Sequence, residues 1–200
     1  MDAAAITVHH EMVDARRNPS SGARRALRAR LGVPEGAALL GTLAVVNWRK
    51  GPDLFLQVGA RVLGQPGLEQ AHLAWIGPDD GGAAARFAAD VRAAGLEGRI
   101  HVLPPVADST DWLDAIDVFV LTSREDAFPL VCLEAAAAGR PIVAFDSGGI
   151  VELVEDDCGA VVPYPDVVAF AEAAVTFVRD PRRARRAGVA GREKVHRRHD

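Results

Sequence analysis

From Leu39 to Val162, short apolar runs alternate with segments of helical period, and this alternation restricts the possible folds more than any single residue does. The runs are LLGTLAVV (39–46), AHLAWIG (71–77), RIHVL (99–103), DVFVLT (117–122), PIVAF (141–145) and GAVV (159–162). Between them lie DLFLQVGARVLG, AAARFAADVRAAG, DSTDWLDAI, LVCLEAAAAG and GIVELVEDD. Several runs are apolar at consecutive positions rather than at every second one, as in strands that helices cover on both faces. Repeated strand–helix units give a parallel sheet with right-handed crossovers. The expected fold is α/β, a doubly wound parallel sheet of about six strands with helices on both faces. Two further helices follow, near 166–179 and 181–197, separated by Asp180-Pro181.

Residues 1–38 read as a linker segment. ITVHH has the look of a short strand, NPSSG of a turn, and ARRALRARLG of a basic amphipathic helix with Gly32 at its end. The texture changes after Pro34-Glu35-Gly36, so 39–200 is taken as the main domain. The chain stops at HRRHD without a helix-stop signal, and it is expected to be part of a longer protein.

A 49% hydrophobic content and 25% charge describe an ordinary globular chain. No apolar run approaches the roughly 20 residues of a membrane helix. The N-terminus lacks a basic-then-apolar signal, so the expected location is cytoplasmic. A net charge of −4 does not favour nucleic acid as a partner. The charge is uneven, however: from Arg179 to Asp200 there are nine Lys or Arg against three acids. That segment is expected to be a solvated terminal helix, or a weak contact for an anionic lipid surface or another domain. Cys132 and Cys158 show no paired spacing, and the histidines show no metal pattern, so neither a disulfide nor a metal is expected.

In an open parallel sheet, ligands bind at the carboxyl ends of the strands. Four loops there carry unusual residues. Asn47-Trp48-Arg49-Lys50-Gly51-Pro52 sets two cations beside a helix start, a plausible anion site or an exposed basic turn. It contains neither a Walker pattern nor G-x-G-x-x-G, which counts against a P-loop NTPase and an ordinary dehydrogenase. Gly77-Pro78-Asp79-Asp80-Gly81-Gly82 offers a close approach at Gly77 or a plain turn. In the third segment, Thr122 to Glu134, an acidic loop enters a helix expected to begin near Pro129, a residue suited to the first helical position. The N–H groups of Leu130 and Val131 point back to the loop mouth, and Asp126 and Glu134 flank that helix start. Carboxylates there accept hydrogen bonds from the hydroxyls of ribose or sugars. The fourth loop, Asp146-Ser147-Gly148-Gly149, presents paired glycines at another helix start.

With those residues in place, the stretch from Asp117 to Gly149, DVFVLTSREDAFPLVCLEAAAAGRPIVAFDSGG, resembles the signature of family-4 (group 1) retaining glycosyltransferases. The resemblance runs from Leu39 to Val195. It implies the Rossmann-like, donor-binding C-terminal half of a GT-B enzyme that moves a hexosyl group from a nucleoside-diphosphate sugar. No further cofactor is implied, and an N-terminal GT-B domain would be the missing partner. Position by position, Lys50 and Arg49 match the cations that neutralise the diphosphate, and Glu134 matches the carboxylate that holds the ribose. Asp126 matches the carboxylate that contacts the transferred sugar. Ser123, Glu125, Phe128, Pro129, Leu130, Gly148 and Gly149 match segments lying along the sugar and diphosphate. The backbone of His101, Val102 and Leu103 matches the side that receives the base, and Gly77, at the end of the matching WIG strand, is taken as a further donor contact.

Three departures stand out. Asp126 replaces a glutamate, with Glu125 just before it. Pro129 replaces a glycine. Ala44 and Val45 stand where an arginine is usual. Two other readings remain at this point, a non-catalytic GT-B-like scaffold and a sugar-nucleotide epimerase relative, and nucleotide binding separates the enzymes from the scaffold.

Overall fold

A computed structural model describes residues 11–14, 22–106, 108–154 and 157–199. The ITVHH segment lies outside them, as does all of NPSSG except Gly22. The six strands are β1 (Leu39–Leu43), β2 (His72–Ile76), β3 (Ile100–Leu103), β4 (Val118–Leu121), β5 (Ile142–Phe145) and β6 (Gly159–Val162). The helices are α1 (Ala23–Arg30), α2 (Pro52–Leu63), α3 (Ala83–Ala93), α4 (Thr110–Ala115), α5 (Leu130–Ala137), α6 (Ile150–Val154), α7 (Val167–Arg179) and α8 (Pro181–Arg198). The sheet is wholly parallel in the order β3-β2-β1-β4-β5-β6, the doubly wound Rossmann-like arrangement expected from the strand pattern. The order reverses between β1 and β4, which places the ligand crevice of such a sheet at their carboxyl ends.

Each strand feeds two cores, which explains the unbroken apolar runs. In β4, Val118 and Val120 join Phe55, Trp75, Phe87 and Phe170 on the face covered by α2, α3 and α7. Phe119 and Leu121 join Leu39, Ile76, Leu133 and Val195 on the opposite face. Phe55, Trp75 and Phe87 meet edge to face at centroid separations of 5.2, 5.5 and 6.2 Å. Such pairs contribute about 0.5–1.5 kcal/mol each beyond their buried area.

β1 ends at Leu43, three residues before its apolar run does. The cause is a contact from β2: the Trp75 indole donates to the Ala44 carbonyl at 2.9 Å, and Val46 returns to pairing as a bridge with Asp79. Gly77 fits this bend, since a Cβ there would stand 1.9 Å from the Ala44 oxygen.

Residues 22–38 lie against the sheet rather than apart from it. Arg28 and Arg24 reach Asp117 at 3.1 and 2.5 Å, and Leu31 and Val33 are buried. The C-terminal helix is amphipathic. Its arginines are largely exposed, but Gly188 and Gly191 let it approach α5 closely, where a Cβ on Gly188 would meet the Gly139 oxygen at 2.0 Å. Lys194, one of only two lysines, is buried on this helix and donates to Asp157 at 2.8 Å and to the Leu153 carbonyl at 3.1 Å.

Candidate functional site

The loops leaving β1 and β4 face one another across the point where strand order reverses, and three consecutive residues of one meet three consecutive residues of the other. Asn47 begins the first loop, its side chain accepting from the Lys50 N–H at 3.2 Å, and Trp48–Lys50 form one 3-10 turn. The Arg124 guanidinium then lies 5.0 Å from the Trp48 ring centroid. Arg49 meets Glu125 at 3.5 Å, and Lys50 meets Asp126 at 2.5 Å. Backbone fixes the register: the Arg124 N–H donates to the Arg49 carbonyl at 2.7 Å, and the Thr122 hydroxyl donates to Lys50 and Gly51 carbonyls at 3.2 and 3.1 Å. Gly51 is required at this crossing, because its φ is 70° and a Cβ would stand 2.3 Å from the Thr122 oxygen.

The pairs differ in strength. Arg49 and Glu125 are 61% and 63% exposed, so water screens them, whereas Lys50 and Asp126 are 24% and 11% exposed and interact more strongly. Ser123 adds a hydroxyl donor to Asp126 at 3.2 Å. Arg124 clamps Asp53 through both guanidinium nitrogens at 2.9 and 2.6 Å, and this hydrogen bonding holds the Asp53 carboxyl below its usual range.

A third loop closes the site. The Asp126 N–H donates to the Ser147 carbonyl, and the Gly149 N–H donates to the Ala127 carbonyl, each at 2.9 Å. Gly148 has a φ of 128°, and a Cβ on it would meet the Asp126 oxygen at 2.0 Å. A Cβ on Gly149 would meet the Phe128 ring at 2.8 Å. Ser147 Oγ is buried with no hydrogen-bond partner among the described residues, a group that a ligand or water would satisfy.

α5 starts at Leu130, one residue later than expected. Pro129 is the N-cap, its backbone extended at φ −77° and ψ 103°. The first-turn N–H groups of α5 open toward the loop cluster. Glu134 lies one turn further on and accepts from Ser109 Oγ at 3.1 Å, which ties the β3–α4 connection to this helix. A cavity of about 220 Å³ lies beside it, with Leu130, Ser109, Leu113, Met12 and Val13 among its walls.

The structure therefore brings together Arg49, Lys50, Ser123, Glu125, Asp126, Phe128, Pro129, Leu130, Gly148 and Gly149, with Glu134 one helical turn away. Gly77 directly follows β2, and His101–Leu103 belong to β3. The His101 ring turns to His72, with ring nitrogens 2.9 Å apart and ring planes within 7°. Burial, helped by the neighbouring His72, pushes the His101 pKa down to about 4. Trp48, Asp53, Arg124 and Ser109 were not singled out in the sequence, because their roles come from cross-loop contacts that no local spacing encodes. Among the described residues, no group of three or more His, Cys, Asp or Glu is arranged to hold a metal ion, and no helix is long and apolar enough to cross a membrane.

Comparison with known proteins supports the same assignment. Residues 37–180 match the family described as Glycosyl transferases group 1. The D-inositol 3-phosphate glycosyltransferase of Kineococcus radiotolerans is 33% identical, over 96% of this chain and 47% of its own length. The chain thus spans about half the length of the curated relatives it matches. Among solved structures, Anabaena Alr3699/HepE in complex with UDP and glucose superposes over all of this chain and 54% of its own, with a TM-score of 0.87 at 23% identity. The C-terminal domain of a group 1 glycosyl transferase (LpcC) from Francisella tularensis superposes over 92% of this chain and 97% of its own, with a TM-score of 0.78 at 22% identity. At those identities the superpositions show the fold. By its sequence match the chain belongs to the group 1 glycosyl transferases, and its Rossmann-like sheet has the fold of a GT-B glycosyltransferase domain.

Proposed function

We propose that this chain is the donor-binding part of a retaining, metal-independent hexosyltransferase that uses a nucleoside-diphosphate sugar. One observation carries this reading. Lys50 and Asp126 meet where strand order reverses, beside the N-terminus of α5, with Glu134 eight residues after Asp126. In this reading the diphosphate sits against Lys50, Arg49 and the backbone N–H groups of Leu130, Val131 and Gly149. The ribose hydroxyls donate to Glu134, and the transferred sugar lies along Asp126, Glu125, Ser123, Phe128, Pro129 and Gly148. The base lies toward Gly77 and the backbone of His101–Leu103, β3 being the sheet edge.

Cleaving the bond between the anomeric carbon and the diphosphate leaves additional negative charge on a phosphate oxygen. Fixed cations and N–H dipoles stabilise that charge without reorganisation, which is where a positioned site lowers a barrier most. The Kineococcus relative is named for D-inositol 3-phosphate, and the Anabaena structure holds UDP and glucose, so we take the donor as a UDP- or GDP-hexose and the acceptor as a polyol. The main acceptor site is assigned to a further N-terminal GT-B domain, and the exposed arginines of α8 to a weak contact with anionic lipid.

The purified chain, given UDP-glucose or GDP-mannose, should bind donor and transfer nothing by itself. Transfer by this chain alone would overturn the division of labour. In the full-length protein, chelator should leave transfer unchanged, and NMR of the product should show the anomeric configuration of the donor. Inversion, or loss of activity restored by a divalent cation, would refute the corresponding part of the proposal.

A further inference from the structure

Trp48 is the exposed member of three tryptophans. It is 65% exposed, while Trp75 and Trp112 are 1% and 3%. Leaving so large an apolar surface in water is unfavourable unless something covers it in the working state. The indole is nevertheless held in place. Arg124 covers one ring face at 5.0 Å and donates to the Trp48 carbonyl at 2.8 Å, and its guanidinium is fixed by both oxygens of Asp53. A ring covered on one side and still 65% exposed presents its other face to solvent. That face stands two residues from Lys50 and next to Arg49, at the rim of the loop cluster.

We infer that the open face of Trp48 is a stacking platform for a pyranose or cyclitol ring of the acceptor, a subsite outside the donor pocket. This rests on the donor-binding reading above. The chemistry fits a polyol ring. Its C–H bonds pack on the electron-rich indole face, which the Arg124 contact orients in advance. Arg49 and the carboxylates of Asp53 and Glu125, exposed around the same rim, can take its hydroxyls. An alkyl chain or a flat bilayer would gain nothing from this ring of paired charges. Because Arg124 is also part of the 48–50 to 124–126 ladder, a ring stacked on Trp48 would sit against the same two loops that carry Lys50 and Asp126.

With Trp75 and Trp112 buried, acrylamide quenching and the red-edge emission of an exposed indole report mainly on Trp48. Methyl α-D-glucopyranoside, methyl α-D-mannopyranoside and myo-inositol are titrated into the chain in the presence of saturating UDP, and UDP affinity is measured separately by calorimetry. The expected result is a saturable shift in emission with protection from quenching. By calorimetry, Trp48→Ala should weaken the polyol by about tenfold or more and Trp48→Phe much less, since the aromatic face is kept. Both variants should bind UDP as the parent does. Polyol binding unaltered in Trp48→Ala, or no polyol effect in a chain that binds UDP, overturns the platform alone. Failure of the parent chain to bind UDP overturns the donor-binding reading along with it.

Discussion

Lys50 Nζ lies 2.5 Å from Asp126 Oδ2, so the cation proposed to meet a diphosphate is already engaged by the carboxylate proposed to meet the sugar. The neighbouring pair, Arg49 with Glu125, repeats the arrangement one residue earlier. On the proposed reading a donor entering this site takes Lys50 from Asp126, and the two residues should therefore have opposite effects on nucleotide affinity.

Lys50→Ala should weaken nucleoside-diphosphate binding at least about tenfold, the scale of one charge-assisted hydrogen bond at about 1.5–3 kcal/mol. Asp126→Asn removes the competing charge and should tighten binding several-fold while abolishing transfer in the full-length protein. Calorimetry with both variants checks the signs, and weaker binding in Asp126→Asn would show that the pair does not compete with the donor.

Glu134 accepts from Ser109 in this structure and is proposed to accept from the ribose when donor is present. Glu134→Ala should reduce affinity for UDP by about tenfold and for 2′,3′-dideoxy-UDP hardly at all, because only the first ligand has hydroxyls to lose. Equal losses for the two ligands would remove the ribose role.

The crossing of the two loops depends on Gly51. Gly51→Ala should destabilise the domain by about 2 kcal/mol or more, combining a left-handed φ with a clash against the Thr122 carbonyl. That corresponds to a Tm lowered by about 4–8 °C. Gly67→Ala is the control, with a φ of 82° but nothing within 4 Å of the added Cβ, and it should cost about half as much. Equal losses at the two positions would show that the close approach is not what Gly51 provides.

His101 gives the fold a pH dependence of defined sign. Its pKa is about 4 in the folded chain against an ordinary value of 6.5. Above 6.5 the ring is neutral in both states and its contribution is whole. As pH falls from 6.5 toward 4, the unfolded chain takes up a proton that the folded chain refuses, and stability declines. Discounted for the ring's partial exposure, the loss is about 2 kcal/mol, and it levels off below pH 4. Denaturant unfolding between pH 7 and 4 should show this slope in the parent and a shallower one in His101→Gln. The His72 ring nearby, also shifted down by burial and by Arg99, contributes in the same direction.

The sheet was readable in advance because every strand is covered on both faces, so its apolar run announces it whatever its neighbours are. The placement of Asp126 before the helix and of Glu134 within it was readable too, since they lie on one loop and its helix. What the sequence hid is what depends on contacts distant along the chain. β1 stops at Leu43 because Trp75, on the next strand, captures the Ala44 carbonyl. Pro129 is an N-cap rather than the first helical residue, and the residues before it are tied to the 147–149 loop by the Asp126–Ser147 and Gly149–Ala127 hydrogen bonds. Arg124 looks like one more arginine in a chain with many, until Asp53 and Trp48 are seen on either side of it. At His101 the expectation concerns the backbone alone, and nothing in the sequence signals that the ring turns to His72.

The most direct test of the donor-binding claim is calorimetric titration of the purified chain with UDP, GDP and ADP, beside Lys50→Ala and Glu134→Ala. Saturable binding with preference for one nucleotide, lost or strongly weakened in both variants, is the expected result and would identify the base. Binding of none of the three by a folded chain, or binding that both variants retain in full, would contradict it.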